Sequence, residues 1–156
     1  MIELDIPSFG RIELHHVVSD FTGTLSVDGR LVDGVADRIR AVAQQVTFHV
    51  LTADTFRTAA EALAGLPVVF NRLTGPDEDG QKVRYVDTLG PDHVMAIGNG
   101  NNDRAMLTSA RIGVAVIESE GATSGAIQAA DLVVGGAVHA LDLLLEPRRL
   151  RAGLRW

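Results

Sequence analysis

Four polar segments of this chain each follow an apolar stretch, and each carries residue types that can handle a phosphoryl group or a cation. Asp20 stands in DFTGTL, directly behind the apolar-rich run Ile12 to Ser19. A carboxylate there is either a turn residue or a nucleophile or metal ligand. The small and hydroxyl-bearing residues after it, Thr22, Gly23 and Thr24, leave backbone N–H groups free to face an anion. Thr52, in VLTADT, can cap the helix behind it or donate to a phosphate at that helix N-terminus. Lys82 is the only lysine, all other permanently charged bases being arginine. A single lysine is ordinarily solvated, but its compact ammonium also suits a phosphoryl oxygen. The fourth segment is Gly98-Asn99-Gly100-Asn101-Asn102-Asp103. It is either an ordinary Asn/Gly turn or a permissive loop of oxygen ligands of the kind that hold Mg²⁺ beside a substrate phosphate.

These segments need elements to bring them together. Ile12 to Ser19 reads as a strand, and Leu25–Val27 and Arg30–Val32 flank Asp28-Gly29 as a hairpin. Gly34 to Gln45 is amphipathic at helical spacing, Val46 to Leu51 is a second strand, and Thr55 to Ala64 is an Ala-rich helix. A short strand at Val68–Phe70, a helix over Asp77 to Leu89, a strand at Val94–Ile97 and a helix over Asp103 to Ala110 follow. Then come a strand at Ile112–Ile117, a helix at Ser124–Ala130, a strand at Leu132–Val134 and a helix at Ala137–Leu145. This alternation predicts an α/β fold of right-handed βαβ units around a mainly parallel sheet. Ligands of such sheets bind beyond the carboxyl ends of the strands, where Asp20, Thr52, Asn71 and Gly98-Asn99 fall.

Composition narrows the function further. The chain has 156 residues, 46% of them hydrophobic, enough for one domain with a real core. Its net charge of −6 argues against nucleic acid as a partner. The absence of cysteine excludes a thiolate metal site and a cysteine nucleophile. No apolar run is long enough to span a membrane, and MIELDIPSFG lacks the apolar region of a signal peptide, so a cytoplasmic location is expected. The charge is uneven, with four arginines and no acid in the last nine residues. The expected organisation is a core over 1–146 and a basic tail over 147–156. That tail is either a solvated end or an arm, anchored by Trp156, that docks on an acidic neighbouring subunit. The histidines at 15, 16, 49, 93 and 139 read as structural, as do Asp77, Glu78 and Asp79 at a helix start. Asp54 either caps the second helix or faces the site.

The four segments, in this order and behind these strands, resemble the haloacid dehalogenase (HAD) superfamily of phosphotransferases. DFTGTL is similar to the DKTGT of P-type ion-pumping ATPases, and GNGNND, followed by RAMLTSARIGVAV and AADLVV, is similar to a later stretch of the same enzymes. The likeness runs from Val17 to Val134, and a chain of this length has no room for a pump's membrane helices. The resemblance implies a soluble P-type-ATPase-like phosphatase with a Rossmann-like, three-layer fold. It further implies that Asp20 forms an aspartyl phosphate, with Thr22 and Lys82 beside it in catalysis. Thr52, Ala53, Lys82 and Asn102 would bind substrate. Asp20, Thr22, Asn99 and Asp103 would hold Mg²⁺, Thr22 through its backbone carbonyl and Asp103 directly or through water. The substrate would be a small phosphorylated molecule.

Two residues depart from that pattern. Thr22 stands where most of these phosphatases carry an acid/base aspartate, a group worth about 10²–10⁴-fold in rate. Asn99 replaces a metal carboxylate with an amide. Thirty-two positions separate Asp20 from Thr52 and thirty separate Thr52 from Lys82, too few for an inserted cap domain. An uncapped site stays open unless a second subunit covers it, so a homo-oligomer is expected. Alternative readings are a phosphate-binding or regulatory protein with weak catalysis, and a capless oligomeric sugar-phosphate phosphatase.

Overall fold

The computed structural model describes residues 1–54 and 57–156. Its centre is a six-stranded, all-parallel sheet made of β3 (His16–Asp20), β6 (Thr47–Thr52), β7 (Val68–Arg72), β8 (Val94–Gly98), β9 (Ile112–Val116) and β10 (Leu132–Val134), in the order β10-β9-β8-β3-β6-β7. The α/β reading holds. Strand period explains the layering, because successive residues point to opposite faces. Val17 of β3 and Met95 and Ile97 of β8 join one buried cluster, whereas Val18, Val94 and Ala96 join the other. The first cluster lies beneath α1 (Val35–Val42) and α6 (Ala137–Leu145), and the second beneath α3 (Glu78–Leu89) and α4 (Arg104–Ser109). Close approach of α4 to β9 depends on Gly113, where a Cβ would come within 2.3 Å of the Leu107 carbonyl oxygen.

Register sets the geometry of the strand ends. Asp20 pairs with Leu51, and Ser19 pairs with Ile97. Asp20, Thr52 and the loop after Gly98 therefore emerge at one edge. The hairpin of β4 (Ser26–Val27) and β5 (Arg30–Leu31) rises beside them. Of the helix expected over Thr55 to Ala64, α2 occupies Thr58–Ala62, while Thr55 and Phe56 lie outside the described residues.

Three features differ from the sequence reading. Ile12 to Ser19 is not one strand. Residues of β2 (Gly10–Leu14) pair antiparallel with β1 (Ile2–Ile6), and from His16 the chain changes partners to β6 and β8. The amino-terminal residues, which gave no element, form β1, with Ile2 and Ile6 buried. The basic segment 147–156 is not a free arm. It contains α7 (Pro147–Leu154), whose Leu150 and Leu154 are buried and whose neighbours are α6 and β1 of the same chain. Trp156, 92% exposed, keeps the free aromatic surface that is one ground for expecting a homo-oligomer, beside the uncapped site and the uneven charge. Among the described residues, no helix is long and apolar enough to cross a membrane.

A polar chain ties α3 to the sheet. Asn71 Nδ2 donates to the Tyr85 hydroxyl (2.8 Å), which lies 2.9 Å from His49 Nδ1. His49 Nε2 in turn lies 3.1 Å from His16 Nδ1. Burial, with His16 nearby, lowers the pKa of His49 to about 4, so the neutral ring is the form held in this chain. A base with a depressed folded pKa stabilises the fold above its unfolded pKa, and that contribution is lost as pH falls through the folded value. Urea denaturation should therefore find the advantage of wild type over His49→Gln greatest above pH 6.5 and shrinking as pH approaches 4. An advantage independent of pH would contradict this network.

Candidate active site

Lys82 anchors the site from within. It lies on α3 in line with Tyr85, Val86 and Leu89, so the helix face that meets the sheet carries it inward. Its ammonium is fully buried and donates to Asp20 Oδ1 and to Asp103 Oδ1, both at 2.7 Å. Asp20 arrives from the end of β3 and Asp103 from the 3₁₀ turn Asn101–Asp103 after β8. Three remote segments thus meet in one ion cluster.

Two carboxylates share one ammonium, so the fully ionised cluster carries an excess negative charge. Burial, reinforced by the Asp103 carboxylate and opposed by Lys82, raises the Asp20 pKa to about 7. Burial works against the Lys82 ammonium as well, but Asp20 and Asp103 outweigh it and hold its pKa above the ordinary value. The two shifts are compatible because the lysine gains two counter-charges while Asp20 gains one counter-charge and one repulsion.

A cavity of about 700 Å³ opens above Asp20. Thr22, Thr52, Ala53, Asn99 and Asn102 line it together with Asp20. The backbone of the loop after β8 is held by Asp103 Oδ2, which accepts from the N–H groups of Asn99 and Gly100, both at 2.9 Å. Asn99 Nδ2 donates to the Gly121 carbonyl (3.0 Å), which turns Oδ1 toward the Thr24 hydroxyl (3.1 Å). The same hydroxyl lies 3.1 Å from Asp20 Oδ2, and its single hydrogen can serve only one of the two. Gly23 permits this approach, since a Cβ there would come within 2.5 Å of Asn99 Nδ2 and its φ is +74°.

Of the residues singled out in the sequence, Asp103 and Lys82 do not line the cavity. Asp103 is fully buried and both its oxygens are engaged, so in this arrangement it braces Lys82 and the loop behind the cavity instead of opening to it as a metal ligand. Asn71 is also elsewhere, bonded to Tyr85. Asp54 takes both roles weighed for it: its carboxylate accepts from the amides of Ala59 (2.8 Å) and Ala60 (3.3 Å), and it lines the cavity. Sequence reasoning missed the acidic wall. Asp28, Glu78 and Glu120 line the cavity, with Glu78 accepting from Asn102 Nδ2 at 2.9 Å. Glu78 had a helix-start reading, and nothing local marks Glu120 or Asp28 as neighbours of Asp20.

The oxygen donors facing the cavity fit a hard divalent cation. Asp20 offers a carboxylate, Asn99 a carboxamide oxygen, and Thr22 lines the same wall. The excess negative charge of the Asp20–Lys82–Asp103 cluster is the electrostatic counterpart of that fit.

Comparisons with known proteins agree with this geometry. A family model described as haloacid dehalogenase-like hydrolase matches residues 83–137. An uncharacterized protein of Methanocaldococcus jannaschii is 50% identical over 62 residues, covering 40% of this chain and 67% of that protein. A copper-exporting P-type ATPase of Staphylococcus saprophyticus is 30% identical over 137 residues, 85% of this chain but 16% of the ATPase. In three dimensions, the 3-deoxy-D-manno-octulosonate 8-phosphate phosphatase from Moraxella catarrhalis, solved with magnesium, phosphate and KDO, superposes with a TM-score of 0.70 at 16% identity, over 85% of this chain and 86% of that one. The cobalt-bound phosphatase of that activity from Haemophilus influenzae gives 0.71 at 16% identity, over 88% and 90%. At such identities the structural likeness is one of fold. The family match adds the segment with β8, the Asn99–Asp103 loop and β9, and the chain belongs to the haloacid dehalogenase-like hydrolases.

Proposed function

We propose that the protein is a Mg²⁺-dependent phosphohydrolase that works through a phosphoryl group carried on Asp20. The observation behind this reading is the buried Lys82 ammonium, 2.7 Å from Asp20 Oδ1 at the floor of a cavity lined by Thr52 and Asn99. Asp20, Thr22 and Asn99 would hold Mg²⁺, which when bound offsets charge on the phosphoryl oxygens. Lys82 keeps Asp20 in place and lowers the charge that an incoming phosphate must face. Thr52 and the backbone at Ala53 stand ready to bind phosphoryl oxygens, with Asn102 further out. An Asp20 oxygen attacks phosphorus, the bond from phosphorus to the leaving oxygen breaks, and that oxygen takes a proton from solvent. Water then attacks the same phosphorus, releasing phosphate and free Asp20.

Incubation with p-nitrophenyl phosphate and Mg²⁺ should add about 80 Da, one phosphoryl group, to Asp20. Asp20→Asn should abolish both adduct and turnover, and a wild-type rate in that variant would exclude the mechanism.

Thr22 lines the cavity with a hydroxyl, so position 22 itself supplies no carboxylate to move a proton in either step. Weak catalysis or a phosphate-binding regulatory role draws its support from Thr22 and Asn99. Thr22→Asp should raise turnover by up to about 10²-fold, the lower end of general acid–base effects. No gain in a folded, Mg²⁺-binding variant would mean that position 22 does not face the leaving group.

The acidic wall bears on the substrate. Asp28, Glu78 and Glu120 line the cavity, and no lysine or arginine does so among the described residues. A second anionic group on the substrate would meet like charge there. The wall therefore favours phosphomonoesters with a neutral or cationic remainder over a sugar-acid phosphate. Glucosamine 6-phosphate should exceed fructose 1,6-bisphosphate in kcat/KM by about tenfold or more, and Glu120→Gln should narrow the ratio. Equal rates on both would remove the wall from specificity.

A further inference from the structure

We propose a second metal site, for a transition ion such as Zn²⁺ or Co²⁺, formed by Glu13, His15 and His93 at the end of the sheet opposite Asp20. One ligand atom from each of the three side chains lies within 4.8 Å of the other two. The backbone beneath them is pinned. His15, at the junction of β2 and β3, donates its N–H to the His93 carbonyl, and its own carbonyl accepts from Thr47 N–H, both at 2.9 Å. His93 closes a 3₁₀ turn, Pro91–His93, that leads into β8.

Two further observations point to a ligand. His93 Nδ1 lies 2.9 Å from the Glu13 carbonyl oxygen. A carbonyl only accepts, so Nδ1 carries the proton and Nε2 keeps its lone pair, the arrangement that orients a metal-binding imidazole. His15 Nε2 is the single buried side-chain nitrogen or oxygen, among the described residues, with no hydrogen-bond partner. Buried polar atoms are almost always paired, so an orphan of this kind calls for an explanation. A cation bound by that nitrogen supplies one.

The donor set selects the ion. Two neutral imidazoles and one carboxylate suit Zn²⁺ or Co²⁺, whereas Mg²⁺ prefers oxygen alone. Metal–nitrogen bonds of about 2.0–2.1 Å bring ligand atoms to roughly 3.3 Å from one another. The rings of His15 and His93 stack at 4.5 Å with planes 15° apart. Closing the site to that distance would require the side chains to draw together from the 4.8 Å spread they show. Glu13 pairs with Arg11 at 3.1 Å, and Arg11 also pairs with Glu3, so Glu13 can turn without stranding the guanidinium. Three protein ligands leave a position for water. The ion would clip the β2–β3 junction to the turn before β8. At about 3.3 Å per residue along β3, it would sit roughly 16 Å from Asp20.

The test is a titration of Co²⁺ into the full chain in excess Mg²⁺, read by visible d–d absorption. One equivalent should produce the bands of a nitrogen- and oxygen-ligated ion, and Zn²⁺ should displace it. His93→Gln and Glu13→Gln should each weaken Co²⁺ binding by about tenfold or more, while Asp20→Asn keeps the spectrum. Glu13 is only half-buried, so its variant remains informative should His93→Gln fail to fold. No bands at one equivalent, bands that persist unchanged in Glu13→Gln, or bands lost in Asp20→Asn would each overturn the assignment. None of these outcomes depends on the reading of Asp20 as a nucleophile.

Discussion

A fully buried ammonium survives only if its surroundings are negative, and Lys82 meets that condition with two carboxylates at 2.7 Å. Removing Lys82 would leave two buried carboxylates without a counter-charge, a loss of about 3–5 kcal/mol in comparable cases. The cluster joins the end of β3, the middle of α3 and the turn after β8. These elements lie far apart in sequence, so the cluster fixes how the second helical layer sits on the sheet. The Asn71–Tyr85–His49–His16 chain holds the same helix three residues further on, and Ser109 bonds Asp87 at its far end.

The same cluster decides what the cavity above it can be. Asp103 spends one oxygen on Lys82 and the other on two loop amides, so its charge shapes the loop from behind. Asp20 alone of the three lines the cavity, and it does so with an excess negative charge beneath it. A cavity built over such a floor attracts a cation. With Asp28, Glu78 and Glu120 around it, further negative charge entering the cavity would meet like charge. Asn99 fits this setting locally: its amide donates to the Gly121 carbonyl, which a carboxylate at that position could not do.

Much of this was legible in the residues themselves. The alternation of strand and helix signals gave the central sheet, and the strand-end rule located Asp20, Thr52 and Asn99 at one edge. The uniqueness of Lys82 marked it before any contact was known. The amino-terminal strand was missed, although Ile2, Leu4 and Ile6 alternate with Glu3 and Asp5. Its partner was missed as well, because Ile12 to Ser19 reads as one apolar run and only pairing shows that the strand changes sheets at His15. The arginine-rich end read as a solvated tail or a docking arm because charge is conspicuous, while Leu150 and Leu154, four residues apart, are buried where α7 meets α6 and β1 of its own chain.

Local pattern determined which residues form strands, helices and turns, and which polar types end up behind strand ends, since periodicity and turn chemistry act over a few residues. Tertiary structure decided everything that depends on distance across the chain. It made Asp103 a brace with both oxygens engaged, brought Glu120 and Asp28 into the wall around Asp20, and set His15 against His93. Each of these is a meeting of residues from separate elements. Electrostatics and hydrogen bonding depend on such separations in space, which no spacing along the sequence encodes.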